Sequence, residues 1–143
     1  MVAQRALAEI LGETELKAAV DAYVAGDRGA DTARSVLMLI RPSFTIDYCH
    51  EIYLSSQDED EKSMAVNLLK AIGDARVLAW IPLYLSDANA AVRAWGIGIL
   101  EELYYRDEVE SEAYEAVLRL ALAHPENYIR EAAVALQTEM YPK

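Results

Sequence analysis

The distribution of apolar and polar residues is most regular between residues 74 and 103, where it predicts two helices joined by a short turn. Apolar positions recur at about 100° per residue in both halves of this segment. The two apolar faces are Leu78, Ile81, Leu83 and Leu85, and Val92, Gly96, Ile97, Ile99, Leu100 and Leu103. Pro82 should bend the first helix, because proline lacks a backbone donor and clashes with the preceding turn. The polar residues at 86–89 favour a turn and a helix N-cap.

Weaker copies of this two-helix segment lie on both sides of it, and two columns of residues give their spacing. The second helices share Val36, Val66, Ile97 and Val134, at spacings of 30, 31 and 37 residues. The first helices share Tyr23, Tyr53 and Tyr84, at spacings of 30 and 31 residues, and the next copy has Ala121. Because both columns agree, we interpret the chain as stacked helix pairs that bury their apolar faces against one another.

The pattern therefore predicts an all-α fold that forms one domain over residues 1–143. Long alternating β patterns are absent, and the helix-forming residues Ala, Leu, Glu and Arg are plentiful. A capping helix over residues 2–11 precedes four pairs, namely 13–25 with 30–41, 44–55 with 59–72, 75–86 with 88–104, and 110–123 with 126–140.

The segment at 74–103 resembles a HEAT repeat. The matching features are Pro82 in the first helix, Asp87 in the turn, Val92 and Arg93 at the start of the second helix, and a small residue before Ile97. The resemblance implies a right-handed α-α superhelix, a HEAT-like solenoid of about four helix pairs. It also implies that Asp87 and Arg93 pair, and that the second helices line a concave surface.

The resemblance also implies that the exposed rows of the second helices face a groove. The rows are Ser63, Asn67, Lys70 and Ala71, then Ala94, Gly98, Glu101 and Glu102, then Glu131, Ala135, Thr138 and Glu139. The groove would become acidic toward the C-terminus.

Composition and charge exclude several classes of protein. Hydrophobic residues make up 54% of the 143 residues, which is enough for a core and makes disorder unexpected. The net charge of −11 argues against nucleic acid as a partner, because phosphate binding needs clustered Lys and Arg. No apolar run reaches membrane-spanning length, and residues 1–11 lack the apolar core of a secretory signal. The single cysteine excludes an internal disulfide and leaves the compartment open. A cytoplasmic protein that contacts no membrane is the default expectation.

The longer third spacing marks a candidate binding site. Its extra residues fall at 104–111, where carboxylates are dense, and insertions in repeat proteins map to surface loops that often bind partners. The candidate partner-binding residues are Trp95, Glu101, Glu102, Tyr104, Tyr105, Asp107, Glu108, Glu110, Glu112 and Glu115. A solvated acidic loop without a partner is the alternative for the cluster. For Trp95 the alternative is packing against the neighbouring repeat.

The residues that could support catalysis or bind a metal are sparse. Cys49 and His50 are adjacent in a predicted helix, so their side chains diverge by about 100° and cannot readily share a proton. Asp47 and His50 form half of a carboxylate–histidine metal motif, but no second copy exists. His124 precedes a proline and reads as a turn residue. We therefore expect no catalytic residue, no metal site and no cofactor.

The function predicted from these features is non-catalytic binding of another protein, through the acidic concave surface and the loop at 104–115. An acidic surface attracts a basic partner at long range. Size and charge suggest a sharper version, a bacterial immunity or inhibitor protein that neutralises a toxin. Two alternatives stay open: a HEAT-like chromophore lyase or its accessory subunit, and a plain assembly scaffold. The sequence leaves the oligomeric state undetermined.

Overall fold

The structure is a computed structural model that describes residues 2–106 and 111–142. All regular secondary structure in these two ranges is helical, which confirms the predicted all-α class. Three of the candidate binding residues, Asp107, Glu108 and Glu110, lie outside the described residues.

The chain divides into two compact units, residues 1–73 and 74–143. The first contains helices α1 (Val2–Leu11), α2 (Glu13–Ala25), α3 (Ala30–Ile40), α4 (Ser43–Ser55) and α5 (Glu59–Ile72). The second contains a 3₁₀ helix (Ala75–Ala79) and helices α6 (Ile81–Leu85), α7 (Ala90–Tyr105), α8 (Ser111–Leu122) and α9 (Asn127–Met140). These bounds agree closely with the predicted helices. The single repeat domain over residues 1–143 stays a prediction.

In the first unit, two antiparallel helix pairs pack side by side. Helix α2 packs on α3 and α4 on α5, while α2 also contacts both helices of the second pair. Arg41 ends α3 with a left-handed backbone (φ 46°), and its Nη2 donates to the carbonyl oxygen of Gly73 at 2.7 Å. The hydrogen bond ties the α3–α4 turn to the end of α5.

The second unit repeats this arrangement. Helix α6 packs on α7 and α8 on α9, and the pairs meet through α6 on α8 and α7 on α9. The turn before α7 forms as the sequence predicts: the Asp87 carboxylate accepts from the amide of Asn89 at 2.8 Å, and the Asn89 side chain caps the helix by accepting from the amide of Ala91 at 2.9 Å.

Pro82 interrupts its helix rather than only bending it. The predicted helix at 75–86 is divided into the 3₁₀ helix and α6, with Trp80 between them in a helical conformation. Pro82 lies in the first turn of α6, where its missing N–H costs nothing. The prediction of one continuous, kinked helix is therefore wrong at this point.

The two repeat columns differ in burial. Every member of the first-helix column is buried: Tyr23, Tyr53, Tyr84 and Ala121. In the second-helix column Val66 and Ile97 are fully buried, but Val36 and Val134 are 37% and 51% exposed.

The two end members of the second column therefore lie at the edge of the core. Helix α3 buries Leu37 and Ile40, and α9 buries Ile129, Ala133 and Leu136. Val36 precedes Leu37 and Val134 follows Ala133, so each is rotated by about 100° from a buried neighbour. Gly98 departs in the opposite direction, since the helical projection exposes it and the structure buries it.

Gly96 allows α7 to approach α6 closely. A Cβ atom at this position would lie 3.0 Å from the Cβ of Tyr84 and 3.5 Å from Cδ2 of Leu85. The Cβ of Tyr84 is fixed to the backbone of α6, and its ring is fully buried. An added methyl group would therefore force the two helices apart.

We expect Gly96→Ala to lower the free energy of unfolding by about 1 kcal/mol. Overpacking costs about 1–3 kcal/mol, and this exceeds the gain of about 1 kcal/mol from the higher helix propensity of alanine. Urea unfolding followed by circular dichroism measures the change. Ala116→Gly, at an exposed position of α8, is the control and should cost about 1 kcal/mol through propensity alone. A Gly96→Ala protein more stable than the parent would show that the helices do not need this close approach.

Candidate functional site

A cleft between α7 and α9 brings together residues from two of the rows that the sequence predicts to be exposed. Its walls carry two carboxylates and an aromatic ring, and small side chains lie between them. The cleft has a volume of about 340 Å³ and is lined by Glu101, Tyr105, Ala132, Ala135, Leu136, Thr138 and Glu139. Four of these residues, Glu101, Ala135, Thr138 and Glu139, belong to the predicted groove-facing rows. We call this surface the α7–α9 face.

Tyr105 links the two helices of the α7–α9 face. Its side chain is 63% exposed, and its hydroxyl group donates a hydrogen bond to Glu139. That hydrogen bond, together with the negative charge of Glu139, raises the pKa of Tyr105. The Tyr104 ring meets the Tyr105 ring edge-on at 5.4 Å between centroids. The aromatic side chains and the carboxylates therefore form one continuous surface.

The other predicted binding residues are dispersed. Glu102 forms an ion pair with Arg106 at 3.5 Å, which neutralises part of its charge. Glu112 is exposed in the first turn of α8, and Glu115 accepts a hydrogen bond from the Tyr141 hydroxyl group. Trp95 is half-buried on α7, so neither of its two predicted roles is decided.

A second and larger cavity lies between the C-terminal ends of α6 and α8. Its volume is about 770 Å³, within the range of about 300–1,000 Å³ that is typical of ligand sites. It is lined by Pro82, Leu85, Ser86, Asp87, Arg93, Leu120, Ala123, His124, Pro125 and Glu126. We call this cavity the turn groove, because the α6–α7 turn and the α8–α9 turn border it.

Arg93 and His124 fix the walls of the turn groove. Arg93 donates from Nη1 to the carbonyl oxygens of Asp87 at 2.9 Å and Ala88 at 3.0 Å, and from Nε to the Glu126 carboxylate at 2.8 Å. Arg93 therefore contacts Asp87 through its main-chain carbonyl oxygen, and the carboxylate that Arg93 binds is that of Glu126, from the turn before α9.

The His124 ring joins the same two turns. Its Nδ1 accepts from the amide of Glu126 at 3.0 Å, and its Nε2 lies 2.7 Å from the carbonyl oxygen of Leu85. Since a carbonyl oxygen can only accept, the ring proton lies on Nε2. Arg130 donates to the carbonyl oxygen of His124 at 2.6 Å. Arg93 donates to the carbonyl oxygen of Asp87 in the same way, and both residues of that pair lie 37 positions earlier in the sequence. His124 thus occupies a turn, as the sequence predicts.

Cys49 is unsuited to nucleophilic chemistry. The thiol is fully buried, and burial raises its pKa, so it carries a proton at neutral pH. The His50 ring stacks on Tyr53 at 6.0 Å, and burial lowers the pKa of His50 while the charge of Asp47 opposes that shift.

Residues 2–106 and 111–142 contain neither a cluster of metal ligands nor a membrane-spanning helix. This part of the chain contains no group of three or more His, Cys, Asp or Glu side chains placed to hold a metal ion. Its longest helix has 16 residues, and none has the length and apolar character of a bilayer-spanning helix.

Sequence reasoning did not predict the turn groove or the Tyr105–Glu139 hydrogen bond. A signal for the groove was present, since its lining residues Asp87 and His124 lie 37 residues apart. That spacing equals the last one in the second-helix column.

Comparison of the sequence with known proteins gives no relationship from which a function could be transferred. No protein-family model matches the chain. No curated protein matches it either. Any functional assignment must therefore start from the surfaces described above.

Proposed function

We propose that this protein is a non-catalytic binding module that holds a basic partner protein on its α7–α9 face. The observation that carries the proposal is the cleft in which Glu101, Tyr105 and Glu139 converge. Carboxylates beside an exposed aromatic ring suit a lysine or arginine side chain, because the ring and the charge both attract a cation. The small residues Ala132 and Ala135 leave room for such a side chain.

The charge of the whole chain supports the same partner. At −11, the protein attracts a cationic surface from a distance, and this attraction accelerates encounter more than it strengthens the final complex. The acidic segment at 107–110 adjoins α7 in the sequence and would add to the attraction. The sharper form of the proposal is an immunity or inhibitor protein that neutralises a basic toxin.

We further propose that the four helix pairs form a right-handed, HEAT-like superhelix with the second helices on its concave side. Support comes from the packing inside each unit, where the first helices contact each other and the second helices contact each other. Lys62, Arg93 and Arg130 are each the fourth residue of a second helix, as a common repeat unit requires. Small-angle scattering tests the proposal, since an extended superhelix and a compact bundle give different distance distributions.

The binding proposal predicts that the double variant Glu101→Lys/Glu139→Lys associates more slowly with the partner. The association rate should fall by about tenfold or more at low salt, and it should depend less on the salt concentration. The partner is first captured from lysate of the source cells on immobilised protein and identified by mass spectrometry. Stopped-flow mixing of the purified pair then measures the association rate.

The matched control is Glu9→Lys with Glu51→Lys, which makes the same change in charge at two exposed positions of the first unit. It should retain most of the association rate. If both double variants slow association equally, only the overall charge matters and the α7–α9 face is not the interface. A captured partner with an acidic surface would contradict the proposal outright.

A further inference from the structure

The turn groove combines an apolar floor with an acidic rim. We call its apolar lining residues the floor, namely Pro82, Leu85, Leu120, Ala123 and Pro125, and its charged lining residues the rim, namely Asp87, Arg93 and Glu126. Leu120 is 53% exposed, although it is a large apolar side chain in a cavity. An apolar occupant would remove this surface from water, which contributes roughly 25 cal/mol per Å² buried.

The charged groups of the rim have a negative balance. Asp87 and Glu126 each carry a negative charge, whereas Arg93 carries the one positive charge among the lining residues. The ring of His124 accepts at one nitrogen and carries its proton on the other, so it adds no charge in this arrangement. The rim therefore favours a cationic group over an anionic one.

The hydrogen-bond donors of the groove point to the same chemistry. Nε and Nη1 of Arg93 bond a carboxylate and two carbonyl oxygens, and Nε2 of His124 bonds the carbonyl oxygen of Leu85. The hydroxyl group of Ser86 donates to the carbonyl oxygen of Leu83 at 3.0 Å. These donors are engaged within the protein. The carboxylates of Asp87 and Glu126 each accept a hydrogen bond as well, from Asn89 and Arg93, but a carboxylate has room for more than one, so these two groups can still accept from a ligand that donates.

A further exposed apolar residue follows the lining residue Pro82 in the sequence. Leu83, next to Pro82 on α6, is 45% exposed but does not line the groove. A chain-like ligand with several side chains can use both the groove and this neighbouring residue, whereas a small molecule fills the groove alone.

We propose that the turn groove binds a short segment of a partner protein in which an apolar side chain stands next to a lysine or arginine. The apolar side chain packs on Leu85 and Leu120, and the cation lies at the rim beside Asp87 and Glu126. The site is separate from the α7–α9 face in its residues, and its occupant is defined by the groove's own shape and charge.

A leucine–lysine hexapeptide, with alternating residues and both ends blocked, is the probe. Methyl NMR of protein labelled at leucine and alanine should show saturable shifts at Leu85, Leu120 and Ala123, and none at Ala135 of the α7–α9 face. A leucine–glutamate peptide should bind at least tenfold more weakly, and so should a glycine–lysine peptide.

Leu120→Lys should weaken binding of the leucine–lysine peptide at least tenfold, because it removes an apolar wall and adds a like charge. Leu120 is half exposed, so the variant retains its fold. The matched control is Leu54→Lys, at a 61% exposed position of α4, which should bind as the parent does.

Three results would overturn the proposal: no saturable shift at the groove, equal binding of the leucine–glutamate peptide, or unchanged binding by Leu120→Lys. Saturable shifts at Ala135 alone would also overturn it, while leaving the proposed function of the α7–α9 face intact. Conversely, a null result in the association experiment at Glu101 and Glu139 leaves the turn groove unaffected.

Discussion

Replacing Ile97 by aspartate should unfold the protein. The Ile97 side chain is completely inaccessible to solvent in α7, among Gly96, Ile99 and Leu100, which are buried as well. Loss of the buried isoleucine costs about 2–5 kcal/mol, and an unpaired carboxylate in the same place costs several more. The total reaches the entire stability of a typical domain, about 5–15 kcal/mol.

Far-ultraviolet circular dichroism and urea unfolding check this result, and Val134→Asp is the matched control. Val134 occupies the same column of the repeat as Ile97 but is 51% exposed in α9, so its carboxylate would stay in water. We expect the control to remain folded and to lose no more than about 1 kcal/mol. A folded Ile97→Asp protein with the parent's urea midpoint would show that α7 does not bury this face.

Stability should fall steeply at alkaline pH because of Tyr114. This ring is fully buried, and its hydroxyl group donates to the carbonyl oxygen of Leu100 at 2.9 Å. Burial, and then the negative charge of Glu101, raise the pKa of Tyr114 above its usual value of 10.0. Since the charged form is the deprotonated one, the folded protein holds this proton more tightly than the unfolded chain.

The sign of the effect follows from that difference. The contribution of Tyr114 to stability is complete below pH 10 and is lost as the pH rises toward the folded-state pKa, at about 1.4 kcal/mol per pH unit. Urea unfolding from about pH 8, below the usual tyrosine pKa, to about pH 12, above it, should show the onset of the decline. Tyr48, whose hydrogen bond to Asp21 raises its pKa to about 12, contributes in the same direction.

Tyr114→Phe should flatten this decline. At neutral pH it should cost about 1 kcal/mol, the value of the lost hydrogen bond. The control is Tyr128→Phe, at a ring that is 56% exposed, which should leave the alkaline slope as it is in the parent. An equal slope in the parent and in Tyr114→Phe would mean that the phenol ionises without unfolding the chain.

The helices were predictable because their signals are local. The period of apolar residues defines α5 at 59–72 to the residue, and the polar residues at 86–89 define the turn before α7. The start of α7 was less certain, since Asp87 and Asn89 are both good N-caps and the structure uses Asn89. The interruption at Trp80 could not be predicted from the sequence, because proline occurs both in kinked helices and in the first turn of a helix.

The candidate site was only partly predictable. Helical geometry predicts that Glu101 lies in the exposed row of α7, and that Thr138 and Glu139 lie in the exposed row of α9. The hydrogen bond between Tyr105 and Glu139 joins residues 34 apart, so it depends on how α9 lies against α7. The pattern of residues within one helix does not predict how that helix packs on another. The turn groove was missed for the same reason, because its two walls come from turns that are 37 residues apart.

The shortness of α6 has a consequence for how the second unit folds. Five residues, one of them Pro82, supply too few intrahelical hydrogen bonds to offset the entropy of ordering the helix. Helix α6 is therefore held by the burial of Ile81, Tyr84 and Leu85 rather than by its own backbone. Because α6 packs chiefly on α7, we expect α7 to form before α6 during folding. For the same reason the amide hydrogens of α6 should exchange with solvent before those of α7 whenever the unit opens locally.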